Sequence, residues 1–286
     1  MNKLTVNGLN KSYGNYKALN NFSAEFNNGI YGILGRNGAG KTTLFRIIVG
    51  LLLADSGSCE MYIDDCKINS KAMQNHIGYL PQEFGMYKYY TVQEVMEELC
   101  IIRGIHKRDR KKEVNRLLEV VNLLEARKKK IGTLSGGMRR RVGLAQAMIG
   151  SPELLIVDEP TAGVDPEERI RIRQLLNDYA INHIVIISTH IVEDIAHICE
   201  NVVILERGDT KFNGKIKELV ETARKNLGEK IFLSIEDFQK YAKNNDVISF
   251  YREGQAIRAI LEKENNADSI KIGLEDAYMW EIKREG

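Results

Sequence analysis

Between residues 30 and 51 the chain carries its most restrictive stretch. The apolar run Ile30-Tyr31-Gly32-Ile33-Leu34 leads into Gly35-Arg36-Asn37-Gly38-Ala39-Gly40-Lys41-Thr42, which spells G-x-x-x-x-G-K-T, and Thr43 follows. That order reads as a buried strand, a glycine-rich turn and a helix opening at Thr42 with Leu44, Ile47, Ile48 and Leu51 on one face. The glycines let the backbone curl with its N–H groups pointing inward, and the helix N-terminus adds partial positive charge. Such a turn cradles phosphate groups. Lys41 can reach the β- and γ-phosphates of a nucleotide, and the Thr42 hydroxyl can ligand Mg²⁺.

The rest of the chain has the grammar of an α/β protein. Leu4-Thr5-Val6, Ala24-Glu25-Phe26 and Met61-Tyr62-Ile63 read as short strands separated by Asn/Gly turns. Thr91-Val92-Gln93-Glu94 is a capping box, followed by Val92, Val95, Met96 and Leu99 at helical spacing. Val114, Leu117, Leu118, Val121 and Leu124 form a second stripe, so a helical insertion is expected between about Thr91 and Gly150. Leu154-Leu155-Ile156-Val157 is a near-continuous apolar strand of the kind buried on both faces. A helix capped by Asp165, with Pro166 at its first position and Glu168 at its third, comes next. Strand Ile184 to Ser188, a helix through Ile191, Ile195 and Ile198, and strand Val202 to Leu205 complete the alternation that implies a parallel sheet.

The expected fold is therefore α/β: a P-loop NTPase core with a parallel sheet, an antiparallel β subdomain, a helical insertion and a small mixed α+β appendage. The division falls at 1–227 for the nucleotide domain and 228–286 for the appendage. Within the latter, Ile231 to Ile235 reads as a strand and Glu236 to Lys243 as a helix, while Ala256 to Leu261 fits either period. No internal repeat is visible, so one nucleotide site is expected.

Composition excludes some roles. A net charge of +2 over 286 residues gives no global pull toward nucleic acid, which is not expected as a partner. The basic clusters Arg108 to Lys112, Arg127 to Lys130 and Arg139 to Arg141 read as solvated faces of helices. Cys59, Cys66, Cys100 and Cys199 form no C-x-x-C pair and read as reduced packing residues. The N-terminus lacks the apolar core of a signal peptide, and runs such as Ile47 to Ala54 are too short to cross a bilayer. A soluble chain that serves a membrane only through a partner is expected.

Two further segments carry chemistry. Asp158 and Glu159 end the apolar strand, and a carboxylate there, beside a phosphate loop, can hold Mg²⁺ through water. That role falls to Asp158; Glu159 can polarise a water attacking the γ-phosphate. Leu134-Ser135-Gly136-Gly137-Met138 places two glycines at a helix start, with the Ser135 hydroxyl beside bare N–H groups. One ATP needs one phosphate loop, so a second anion-binding terminus suggests action on another chain's nucleotide.

With these motifs in this order, the sequence resembles the ATP-binding subunit of ABC transporters over about Leu4 to Glu218. The resemblance rests on Gly35 to Thr42, Gln82, Leu134 to Met138, Asp158-Glu159, Ala162-Gly163-Val164-Asp165 and His190. It implies that Tyr13 stacks on adenine, that Gln82 senses Mg²⁺ and the lytic water, and that His190 contacts the γ-phosphate. It implies that Ser135, Gly136 and Gly137 close on ATP bound to a second ATP-binding subunit, identical or paralogous. It further implies a separate transmembrane permease and a peripheral place on the cytoplasmic face of the cell membrane. Two departures stand out: Met138 replaces the commonest glutamine, and Ala162 the usual serine, which puts one hydrogen bond across the dimer in doubt. Ile77 to Glu83 and the ending Gly273-Leu274-Glu275-Asp276-Ala277-Tyr278 look like bacterial type-2 exporters. The alternative is a soluble ABC ATPase acting in DNA repair or on ribosomes, but the long coiled coils or second nucleotide domain of those proteins are missing from this sequence.

Overall fold

The computed structural model describes residues 1–263 and 272–284. Three sheets organise it. An antiparallel sheet is built from β1 (Lys3–Tyr13), β2 (Tyr16–Asn27), β4 (Ser56–Ile63) and β5 (Cys66–Lys67), in the order β2-β1-β4-β5. The central sheet holds β3 (Gly29–Leu34), β6 (Ile77–Leu80), β7 (Leu154–Asp158), β8 (Ile184–Thr189), β9 (Asn201–Glu206) and β10 (Asp209–Lys215), in the order β10-β9-β3-β8-β7-β6. All its pairings are parallel except β9 with β10. The third sheet, β11 (Leu227–Phe232), β12 (Ser249–Glu253) and β13 (Ala256–Glu262), is antiparallel in the order β11-β13-β12.

The helices are α1 (Lys41–Ile48), α2 (Ser70–Met73), α3 (Val92–Ile102), α4 (Lys107–Val120), α5 (Gly136–Ala147), α6 (Pro166–Ala180), α7 (Val192–Ile198), α8 (Ile216–Asn226), α9 (Ile235–Ala242) and α10 (Leu274–Lys283). Every residue of β7 and β8 is buried, as a strand covered on both faces requires. Their alternate side chains enter two cores. Leu154, Ile156, Ile184 and Ile186 join Phe22, Phe26 and Phe45 beside the antiparallel sheet. Leu155, Val157, Val185 and Ile187 join the core that contains the helical insertion.

Local signals position the helices. Thr91 and Glu94 close the capping box of α3, and Asp165 caps α6 by accepting from the Glu168 N–H. The insertion presses α5 against β6 at Gly78, where an added Cβ would lie 2.0 Å from the Ala147 carbonyl oxygen. α10 then returns the chain to the main core, burying Leu274, Ala277, Tyr278 and Trp280 against α7, α8 and β10.

Several local expectations are corrected. α1 ends at Ile48, and Leu51 is 70% exposed rather than on the buried face. Gly50 takes φ +75°, and the N–H groups of Leu51 and Leu52 turn back to the Arg46 carbonyl, which closes the helix before the stripe is complete. In the appendage the strand lies at Leu227–Phe232, because Ser234 caps α9 and pulls Ile235 into the helix. Ala256–Glu262 is a strand. Cys66 is exposed on the short β5, unlike the buried Cys100 and Cys199.

Gly78→Ala is expected to destabilise the fold by about 1–3 kcal/mol, since the β6–α5 contact has no room for a methyl group. A thermal melt of the two proteins measures the loss.

Candidate active site

The carboxyl ends of four neighbouring strands bring the site together. In the parallel ladder Leu34 pairs with Thr189, Ser188 with Asp158, and Val157 with Leu80. The phosphate loop after β3, His190 after β8, Asp158-Glu159 at the end of β7 and Gln82 after β6 therefore emerge on one edge. A cleft of about 280 Å³ lies there, lined by Arg36, Asn37, Gly38, Ala39, Gly40, Lys41, Thr42, Thr43, Gln82, Asp158 and Glu159, with Tyr16 and Ala18 at its rim.

The loop has the shape its glycines foretell. Gly38 and Gly40 take φ +83° and +112°, and a Cβ on Gly40 would meet the Ala18 carbonyl oxygen at 2.3 Å. Gly40 caps α1 without a side-chain bond, so the first N–H groups of the helix stay open to an anion. Lys41 is buried, and its ammonium donates to the carbonyls of Gly35 at 2.5 Å and Arg36 at 3.2 Å. Burial lowers its pKa, while the charges of Glu159 and Asp158 pull the other way.

The two acids are held differently. Asp158 accepts from Thr42 Oγ1 at 3.1 Å through one oxygen and from the Ser188 hydroxyl through the other. This fixes one carboxylate against the hydroxyl at the start of α1. Glu159 is non-glycine at φ +52°, a strained left-handed conformation of a kind that clusters at functional sites. Its Oε1 lies 2.9 Å from His190 Nδ1, and its Oε2 is buried with no hydrogen-bond partner. An unpaired buried carboxylate oxygen is costly, so this one fits a ligand or water that donates to it.

Ser135, Gly136 and Gly137 stand apart from this cleft. Ser135 caps α5 by accepting from the Met138 N–H at 3.2 Å, which leaves its own hydroxyl proton available. Gly136 lines a separate cleft with Gln82, Phe84, Met86 and the loop Ala162-Gly163-Val164. Tyr13 is half exposed at the β1–β2 hairpin, outside the phosphate cleft, and its cross-strand partner Tyr16 reaches the cleft and donates to the Gly38 carbonyl. Only the position of the hairpin turn could have singled out Tyr16.

Sequence reasoning also missed Arg140 and Arg141. Read as part of a solvated basic run, both are buried, and only Arg139 of the three is exposed. Arg141 pairs with Glu168 at 2.8 Å and joins α5 to the first turn of α6. Arg140 reaches the backbone carbonyls of Gln82 and Glu159, and burial pushes its pKa down to about 10.

A phosphate loop at the edge of a parallel sheet, two acids at the end of a neighbouring strand and a helical insertion define a P-loop ATPase. The family model described as ABC transporter matches residues 19–162. Over 225 residues the chain is 35% identical to the uncharacterized ABC transporter ATP-binding protein YxlF of Bacillus subtilis (strain 168), covering 78% of this chain and 75% of that one. It is 33% identical over 228 residues to the Nod factor export ATP-binding protein I of Rhizobium sp. (strain N33), covering 77% and 74%. Among solved structures, the dimeric post-hydrolysis ATP-binding cassette MJ0796 bound to ADP and Pi superposes with a TM-score of 0.65 at 25% identity, covering 74% of this chain and 98% of that one. The chain belongs to the ABC transporter family as an ATP-binding subunit. It is an ATPase that powers transport through a separate membrane partner, and among the described residues no helix is long and apolar enough to cross a membrane.

Lys41→Ala is expected to weaken ATP binding by about ten- to a hundredfold, the loss of a charged hydrogen-bonding group on phosphate. Calorimetric titration with ATP measures it.

Proposed function

We propose that two ATP-binding subunits, two copies or a paralogous pair, close head to tail over two ATP molecules and so drive export through the membrane partner. The observation that carries this reading is the separation of Ser135 from its own phosphate cleft. Among the described residues, Glu168 beside this helix terminus is committed to Arg141, so the available hydroxyl and the bare N–H groups serve no phosphate of their own chain. A partner's γ-phosphate would supply one, so closure depends on ATP. The dimeric cassette bound to ADP and Pi among the solved relatives supports the pairing of two such subunits. The relative named for Nod factor export supports the direction of transport.

Within each site, water attacks the γ-phosphorus as the bond to the β-phosphate oxygen breaks, giving ADP and phosphate. Glu159 takes the water's proton, and its partnerless Oε2 is the acceptor. His190 holds the other oxygen and, from the end of β8 beside the cleft, would contact the γ-phosphate of a bound nucleotide. Gln82 borders the same cleft, where it orients the water. Thr42, Asp158 and Gln82 would hold Mg²⁺, which when bound would neutralise charge developing on the phosphates. Adenine would lie on Tyr13, with Tyr16 beside it. Residues 1–227 are taken as the ATP-binding unit and 228–286 as its appendage, on the cytoplasmic face of the membrane.

The membrane partner would sit on an exposed aromatic segment. Tyr87, Tyr89 and Tyr90 are 77%, 86% and 51% exposed, whereas Phe84 and Met86 pack inward. The backbone from Lys88 to Gln93 bonds to that from Arg127 to Gly132, which sets the exposed Lys88, Lys128, Lys129 and Lys130 beside the tyrosines. A short cytoplasmic helix of the permease, anchored on these aromatics, would fit here.

Glu159→Gln should bind ATP yet hydrolyse it at least about a hundredfold more slowly, because an amide cannot accept the proton. It should accumulate as an ATP-bound dimer in sedimentation. Ser135→Arg added to that background should keep nucleotide affinity and abolish the dimer; a dimer that persists would overturn the head-to-tail arrangement. Tyr87→Ala with Tyr89→Ala should spare basal ATPase activity and reduce transport in vesicles holding the permease.

A further inference from the structure

Arg140 contacts no phosphate group in the reading above, yet all five of its N–H groups are engaged. Nη1 donates to the carbonyls of Pro81 at 3.3 Å and Gln82 at 3.0 Å. Nη2 donates to Asp158 and, at 2.6 Å, to Glu159, and Nε donates to Pro160 at 3.3 Å. A guanidinium has five donors and no acceptor, so its hydrogen-bonding capacity is complete. The side chain is 7% exposed, and among the described residues it forms no ion pair with a carboxylate. The ring of Phe84 lies 5.6 Å from its central carbon. The nearby charges of Asp158 and Glu159 offset part of the cost of burying this ion but no carboxylate pairs with it directly, and packing needs no charge to fill such a space.

What the five carbonyls share is location. Two belong to the segment that carries Gln82, and three to the turn that carries Asp158 and Glu159. The arginine itself projects from α5, whose N-cap is Ser135. Glu159 sits at φ +52°, a conformation that persists only where the surroundings hold it, and one of those holds is Nη2 on its own carbonyl.

We propose that Arg140 is a positioning residue for hydrolysis, locking the backbones of Gln82 and of Asp158-Glu159-Pro160 to α5 so that both loops move with that helix. This rests on the assignment of Gln82 and Glu159 to the hydrolytic step. When Ser135 engages a phosphate, any displacement of α5 is carried through one rigid planar group to the chain's own water-handling residues. Lysine cannot substitute, because three donors on a single atom do not span two loops.

The test is steady-state ATPase kinetics of the full chain. Arg140→Ala should lower kcat by about a hundredfold, the scale expected for a small misplacement of reacting groups. KM for ATP should change much less than kcat, by no more than about fivefold, because the phosphate loop, Lys41 and Thr42 make no contact with Arg140. Guanidinium ion at millimolar levels, far below the molar range that unfolds proteins, should restore much of the rate in Arg140→Ala and none in Glu159→Gln. Arg140→Lys should resemble Arg140→Ala. Should the alanine variant fail to fold, Arg140→Gln is measured in its place, with the same split between kcat and KM expected. A wild-type kcat, or a joint collapse of kcat and ATP affinity without response to guanidinium, overturns the proposal. Failure of the underlying assignment reads out separately: Glu159→Gln would then hydrolyse ATP at the wild-type rate whatever Arg140 does.

Discussion

The parallel ladder through β3, β8, β7 and β6 is the constraint on which the rest depends. A parallel register places like ends of strands together, so every loop that leaves a carboxyl end emerges on the same edge. Leu34, Thr189, Asp158 and Leu80 thereby deliver residues remote in sequence to one edge, where Thr42 bonds to Asp158 and His190 to Glu159. The side chains of these strands are apolar on both faces, which pins the register against slippage from either side. A one-residue slip would exchange the two cores and displace the acids from the phosphate loop together.

Within that frame the adjacent carboxylates differ because their backbones differ. Asp158 is the last residue of β7 and shares its oxygens between hydroxyls on two other elements. Glu159 has already left the strand at positive φ, so its side chain departs in another direction and meets His190 with only one oxygen. Neighbours in sequence thus occupy distinct chemical environments, which is the condition for separating metal binding from proton transfer.

The parts legible in the sequence were those written locally. The glycines and Lys41 of the phosphate loop, the capping box at Thr91 and the caps at Ser135 and Asp165 each act over three or four residues, and each is present. The illegible parts depend on distant partners. Arg140 and Arg141 read as surface because nothing nearby in sequence announces the carbonyls and the carboxylate that receive them. Leu51 continues the periodicity of α1 but falls after a left-handed glycine, where period no longer reports direction. Tyr13 and Tyr16 flank one tight turn, and only the folded hairpin shows which of them reaches the loop. The destination of α10 was equally hidden, since a short amphipathic helix can dock on any apolar surface of matching shape.

That destination ties α10 back to the main core. α10 is pinned on one side to α7, α8 and β10, and on the other to the third sheet, through Trp280 on Glu262 and Ser249 on Asp276. α7 begins two residues after His190. Among the described residues, the third sheet is thus tied through α10 to α7 and so to the β8–α7 corner where His190 lies, and it is continuous with the main core rather than pendant from it.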